Sequence, residues 1–247
     1  MARAGLCSRR DAERWIAEGR VKLDGAVLTS PAVTVDPEST ILVDDKPLPK
    51  AEAARLWRYH KPSGLVTTHR DEKGRSTIFD RLPPGLPRVI TVGRLDLNSE
   101  GLLLLTNDGA LARRLELPAT GWLRRYKVRV HGIVDPGRLQ RLEGGITVEG
   151  VSYGPISAQL ERQQGSNAWI VMGLREGRNR EIRRVLEHLG YPVTRLIRLA
   201  YGPFQLGNLE RGAVEEVPRK VLREQLGDGA GKAAESGRKR RHADHRR

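Results

Sequence analysis

Apolar residues recur along this chain with two periods, and the change from one to the other marks its elements. In "SRRDAERWIAEG" (8–19), Ala12, Trp15 and Ile16 stand at helical spacing behind Ser8 and Asp11, a capping-box start, and Gly19 supplies a stop. "VKLDGAVL" then alternates Val21 and Leu23 up to Asp24-Gly25, the pattern of a tight hairpin, and "TILVDDKPL" predicts one more short strand. Residues 45–55, "DKPLPKAEAAR", have two prolines and no apolar period and read as a linker, so the expected boundaries are 1–48, 49–55 and 56–226. Beyond Leu56 strands dominate. "RYKVRVHG" sets Tyr126, Val128 and Val130 against Lys127, Arg129 and His131, a half-buried strand, and "AWIVMGL" (168–174) reads as a buried one. "NREIRRVLEHLG" puts Ile182, Val185, Leu186 and Leu189 on one helix face before Gly190. Strands mixed with helices outside a strict alternation predict an α+β fold.

The charge balance adds a partner to this picture. Lys and Arg number 44 against 30 Asp and Glu, a formal net charge of +14 over 247 residues. Residues 228–247 hold seven of those cations and three of the acids; the remaining +10 lies on residues 1–227, so the body itself is basic. A field of that sign suits nucleic acid or an anionic membrane surface. No run approaches the length of a membrane-spanning helix and "MARAGLCSRR" has no apolar signal region, so a cytoplasmic location is expected. The lone Cys7 excludes an intramolecular disulfide and a cysteine-rich zinc site. His242 and His245, in the tail, have nothing near them to complete a metal site. The tail from Gly227 is poor in apolar residues and is expected to be disordered.

Against that background one carboxylate stands out. "GRLDLNSEGLLLLTNDG" (93–109) holds Asp96 between apolar segments, two residues after Arg94 and shortly before Leu102 to Leu105. Asp, Asn and Ser are ordinary turn formers, which accounts for the segment taken alone. Burial would raise the pKa of such a carboxyl unless a cation offset it. The stripe of Arg180, Arg183 and Arg184 in "EGRNREIRR" is one source of that cation, if the helix packs its apolar face on the sheet. In the N-terminal unit Arg9, Arg10, Arg14, Arg20 and Lys22 cluster within fifteen positions and suggest a surface that contacts phosphate.

Two resemblances sharpen these expectations. "ARAGLCSRRDAERWIAEGRVKLDGAVL" resembles the S4 RNA-binding domain; such domains carry further helical residues before "ARAG", so a shortened first helix is expected here. "GRLDLNSEGLLLLTNDG" is similar to the active-site signature of pseudouridine synthases, in particular the ribosomal RNA branch of the RsuA/RluB family. "YHKPSGLVTT", "RRYKVRV", "EGRNREIRRVLEHLG" and "VTRLIRLAYGPF" follow in that family's order, and the match runs to about residue 218. His60, where Asn or Lys is more usual before "KP", is a departure from the pattern.

The resemblance implies a small S4-like domain followed by a catalytic domain with a mixed, mostly antiparallel sheet and its cleft along that sheet. It implies Asp96 as the catalytic residue, Tyr126 as the ring that stacks on the target base and Arg183 as the cation that pairs with Asp96. Ile182 would line the pocket, and Arg94 would help hold the nucleotide out of its helix. Arg180 and Arg184 would add phosphate contacts. The implied reaction is isomerisation of uridine to pseudouridine in ribosomal RNA, with a leaning to the large subunit (23S) from "EGRNREIRR", by a monomer that needs neither cofactor nor metal. Two rivals remain. A non-catalytic RNA-binding assembly factor needs the basic surface but not Asp96, Tyr126 and Arg183 together. A glycosidase usually needs two cooperating carboxylates, and Glu100 is the only other acid near Asp96.

Overall fold

The computed structural model describes residues 1–36, 38–117 and 120–227; the tail expected to be disordered lies, from 228 onward, outside the described residues. The N-terminal unit is one helix on a small antiparallel sheet. Helix α1 (Arg9–Ala17) starts with the capping box its sequence predicts. The Asp11 amide donates to Ser8 Oγ at 3.0 Å and the Ser8 amide to Asp11 at 3.3 Å. Strands β1 (Val21–Leu23), β2 (Ala26–Val27), β3 (Ile41–Val43) and β4 (Lys46–Pro47) are ordered β2-β1-β3-β4. Asp24 and Gly25 both take positive φ, 50° and 87°, and so close the β1–β2 hairpin. Ile16, Val21 and Val43 form the core, with Trp15, Leu28, Ile41 and Leu48 packed around them. Strand β4 falls within the stretch read as linker: its backbone pairs with β3 despite Pro47, which sits on the edge strand where a missing donor costs nothing.

The larger unit is built on a mixed sheet. Its elements are β5 (Leu56–Lys61), β6 (Ile90–Val92), β7 (Ser99–Thr106), α2 (Gly109–Glu116), β8 (Arg124–His131), α3 (Pro136–Gln140), β9 (Ile146–Val148), β10 (Val151–Tyr153), β11 (Ile156–Gln164), β12 (Asn167–Leu174), α4 (Glu181–His188), β13 (Val193–Tyr201), β14 (Phe204–Gln205), β15 (Val214–Glu216) and α5 (Arg219–Leu226). The order is β11-β12-β8-β13-β7-β5-β15, with β6 on β7 and β14 on β13; β9 and β10 pair apart. Of the pairings between these strands only β13–β7 is parallel. This is the α+β arrangement, with mostly antiparallel strands, expected from the sequence.

Two half-sheets meet at the parallel joint, and each has its own core. On one side Val128 and Val130 of β8, Ile170 and Met172 of β12 and Leu196 of β13 are buried under Ile182, Val185 and Leu186 of α4. On the other, Leu102 to Leu105 of β7 are all fully buried and divide between two clusters. Leu102 and Leu104 face Leu111, Leu115 and Leu222, while Leu103 and Leu105 face Trp57 and Tyr59. At the joint Gly101 has φ +100°, and a Cβ there would lie 2.3 Å from the Arg198 carbonyl oxygen. Glycine is what allows β7 and β13 to pair this closely. No helix of the described residues is long and apolar enough to cross a membrane.

Candidate active site

A cleft of about 1220 Å³ opens at the joint, where the turn entering β7 faces the loop entering α4. The turn is residues 93–98, and it carries Asp96. Its backbone carbonyls are held from several elements. Thr67 Oγ1 donates to the Leu95 carbonyl (3.2 Å), the Ser99 amide to that of Asp96 (3.0 Å) and the Gly64 amide to that of Leu97 (2.8 Å). Lys61, at the end of β5, is fully buried beneath the turn. Its ammonium donates to the carbonyls of Pro62 (3.0 Å), Asp96 (3.2 Å), Leu97 (3.3 Å) and Ser99 (2.9 Å). Burial pushes the Lys61 pKa down to about 8, opposed by the charges of Asp96 and Glu100, so the group is an ammonium at neutral pH. With the backbone fixed from below, the Asp96 carboxylate projects into the cleft with 32% of its side chain exposed.

The opposite wall is the segment 175–183. Arg180 is the N-cap of α4 and takes the left-handed conformation, φ 53°, so the helix begins one residue later than its arginine stripe suggests. From there its guanidinium Nη1 reaches Asp96 Oδ2 at 3.5 Å. Arg183, expected to pair with the carboxylate, instead donates to the Asn98 carbonyl (3.1 Å) and the Val193 carbonyl (3.3 Å). The difference is local. The left-handed turn at Arg180 swings that side chain forward, while Arg183, one helical turn on, lies lower and ties α4 to the Asp96 turn and to β13. Burial lowers the Arg183 pKa below the ordinary guanidinium range, Arg180 adds to the effect and Asp96 opposes it. Glu181, buried beside them, accepts the Arg178 amide at 2.9 Å through Oε2, while its Oε1 has no hydrogen-bond partner among the described residues. Burial, with the charge of nearby Glu176 adding to it, lifts its pKa to about 7.

The lining between the walls is apolar and cationic. Tyr126 is buried on β8 with Leu174, Ile182 and Leu196 around the same cleft. Arg198 pairs across with Tyr126 in the sheet and donates through Nε to the Leu102 carbonyl (2.7 Å), while its Nη2 has no hydrogen-bond partner among the described residues. Arg124 stacks over Tyr201, its Cζ 4.6 Å from the ring centre, and donates to the Tyr201 hydroxyl (3.0 Å). A carboxylate, an aromatic ring and several guanidiniums therefore share one pocket, an arrangement suited to a flat polar base attached to a phosphate. Among the described residues no group of three or more His, Cys, Asp or Glu could hold a metal ion.

The structure thus brings Asp96, Tyr126, Arg180, Ile182 and Arg183 to one cleft, with Arg94 exposed at its rim. Arg184 faces solvent on the outer side of α4 and does not line it. The expected phosphate-binding residues of the N-terminal unit are all at least partly exposed, but three are engaged. Arg20 forms a two-pronged pair with Asp44 (2.8 and 2.6 Å), Lys22 meets Asp45 (2.6 Å) and Arg14 meets Asp11 (3.1 Å). Arg9 and Arg10 stand exposed on α1. His60 points to the other face of β5, where its Nδ1 lies 2.7 Å from the Leu209 carbonyl oxygen. Sequence reading missed Lys61, Arg124 and Arg198. For two of them a signal existed: Lys61 continues the buried alternation Trp57, Tyr59 of β5, and Arg198 the alternation Leu196, Ala200 of β13.

A cleft of this composition on a mixed sheet, behind a small α/β unit that bears exposed arginines, is that of an RNA-modifying enzyme, and comparison with known proteins agrees. Residues 55–188 match the RNA pseudouridylate synthase family and residues 1–41 the S4 domain. An uncharacterized RNA pseudouridine synthase of Rickettsia felis is 49% identical over 222 residues, covering 90% of this chain and 96% of that protein. The ribosomal large subunit pseudouridine synthase B of Pseudomonas aeruginosa is 43% identical over 237 residues, covering 92% of this chain and 61% of its own length. A crystal structure of a pseudouridylate synthase superposes with a TM-score of 0.64 at 27% identity, covering 91% of this chain and 96% of that one. The chain belongs to the RNA pseudouridylate synthase family, and its class of reaction is isomerisation.

Proposed function

We propose that this protein converts uridine to pseudouridine in ribosomal RNA of the large subunit, acting as a monomer in the cytoplasm. The observation that carries the reading is that Asp96, Tyr126 and Ile182, from three separate parts of the chain, line one cleft together with two arginines, Arg180 and Arg183. The relatives named for the large ribosomal subunit favour that substrate over other RNAs. The two units divide the work: residues 1–48 grip RNA through exposed cations such as Arg9 and Arg10, and residues 56–226 carry the chemistry.

In this scheme the target uridine leaves its helix, at a cost of about a few kcal/mol, offset by phosphate contacts elsewhere. Tyr126 supplies the lost stacking, Ile182 closes the apolar side of the pocket and Arg94 helps hold the nucleotide outside its helix. Asp96 acts at the ribose, as nucleophile at C1′ or as base. The N1–C1′ bond breaks, the uracil rotates, a C5–C1′ bond forms, and the proton leaves C5 while N1 gains one. Atoms and electrons balance without an external reagent. Arg180 holds the carboxylate in line.

Asp96→Asn tests the assignment. Single-turnover release of tritium from 5-³H-uridine-labelled 23S transcript should vanish while affinity for the RNA stays within about twofold. Retained turnover would reject the role given to Asp96.

A further inference from the structure

Opposite the cleft, the half of the sheet formed by β11, β12, β8 and β13 carries a second basic surface. Tyr126, Val128 and Val130 face the core under α4, so Arg125, Lys127 and Arg129 stand on the reverse face. The register continues that face across four strands: Arg162 pairs with Trp169, Trp169 with Arg129, and Arg129 with Arg195. Directly opposed residues share a side of the sheet. Trp169 and Val171, on this side, belong to none of the hydrophobic cores and are half-exposed. This part of the face is open.

Its charges are not balanced. Glu161 holds Lys127 at 2.6 Å, with the ammonium 5.2 Å from the centre of the Trp169 ring, and buried Glu100 holds Arg195 at 2.8 Å. Among the described residues the Arg125 guanidinium meets only the neutral amide oxygen of Gln205 (2.6 Å). Arg129 and Arg162 are exposed, and their guanidiniums have no hydrogen bond or ion pair among the described residues. Charges on an edge strand such as β11 guard against pairing with other chains, which accounts for Arg162. That explanation does not extend to Arg125 and Arg129, which lie on the interior strand β8. A merely solvated surface mixes both signs in near balance; on this face Glu161 and Glu100 answer Lys127 and Arg195, and among the described residues the guanidiniums of Arg125, Arg129 and Arg162 stand without an acid. Strand geometry separates Arg125 from Arg129 by about 13 Å along β8 and Arg129 from Arg162 by about 10 Å across the sheet. That spread is too wide for a single anion and suits several phosphates spaced along a strand.

We propose that this reverse face is a second RNA-docking surface, which holds the ribose-phosphate backbone of the substrate at a point remote from the target uridine and without reading sequence. The inference rests on the proposed ribosomal RNA substrate, which is long enough to reach both sides of the enzyme.

The test uses the full chain carrying R125Q, R129Q and R162Q together, with the 23S transcript as probe and affinity measured against KCl. Loss of three single-strand phosphate contacts lowers the slope of log K against log salt by about 2, so the wild type loses about 20-fold more affinity than the variant between 50 and 200 mM salt. The corresponding lysine variants should keep the wild-type slope, and ultraviolet crosslinks from the wild type should map to residues 125–129 and 162–169. An unchanged slope in a variant with wild-type thermal stability overturns the proposal. So does an unchanged slope with lost binding to polyglutamate, which would assign the face to an acidic protein. A transcript that binds with the expected slopes but is never isomerised would instead sink the substrate reading and leave this surface standing.

Discussion

Arg180 touches the Asp96 carboxylate at 3.5 Å, while Arg183, one helical turn later, holds the backbone of the same turn through the Asn98 carbonyl at 3.1 Å. One arginine addresses the reacting group and the other its support, and their substitutions should separate. Arg180→Ala removes a half-exposed side chain, so stability should change by no more than about 0.5 kcal/mol. Single-turnover rate should fall about tenfold, which corresponds to about 1.4 kcal/mol in the barrier. Arg183→Ala leaves two carbonyls short of a charged donor and should cost about 1–3 kcal/mol in urea unfolding. The opposite pattern would give the carboxylate to Arg183.

Lys61 offers a second separation. Replacing it with Met keeps the length but removes the donor shared by the carbonyls of Pro62, Asp96, Leu97 and Ser99. The Asp96 and Leu97 carbonyls keep their backbone donors, so the expected cost is about 2–4 kcal/mol rather than a sum over all four. The turn should loosen, and turnover at saturating RNA should fall with RNA affinity unchanged. Equal stability of Lys61→Met and wild type would show that the ammonium does not hold the turn.

Glu181 makes the fold sensitive to pH. Its folded pKa, raised to about 7 from the usual 4.5, means that the native state binds the extra proton between those values. Stability contributed by the protonated carboxyl is complete below pH 4.5 and falls away as pH rises through 7, by about 3 kcal/mol. Glu181→Gln keeps an oxygen for the Arg178 amide and has no charge to bury. The variant should match wild type near pH 4.5 and exceed it above pH 7 in denaturant titrations. The same difference at both pH values would rule out this origin.

Gly101→Ala should be among the most damaging single changes in the sheet. The added methyl would meet the Arg198 backbone at 2.3 and 2.7 Å, and alanine disfavours φ +100°. A loss of more than about 3 kcal/mol by thermal unfolding is expected; a loss under 1 kcal/mol would mean that the joint yields easily.

Much of this could be read from the chain alone because period and burial coincide. The alternation around Tyr126, the helical face of Ile182, Val185 and Leu186, and the capping box at Ser8 each place their residues correctly. Reading faltered where a polar residue occupies an apolar position. Lys61 and Arg198 follow the buried phase of their strands, yet cations are rarely buried and their partners are backbone carbonyls, which leave no mark in sequence. It also faltered over which arginine meets Asp96. That depends on one residue entering the left-handed region at a helix start, where arginine has no intrinsic preference to signal it.

The two sides of the cleft are anchored unequally. Beneath Asp96 the chain is bolted to β5 by an ammonium with no exposure to solvent, whereas the exposed tip of the opposing segment, residues 177–180, is held through Arg178 to Glu176 and Glu181, with Arg180 in an uncommon backbone conformation. Accommodation to nucleotides of different girth or pose therefore falls to the second side, and the reacting group stays fixed while its clamp gives way.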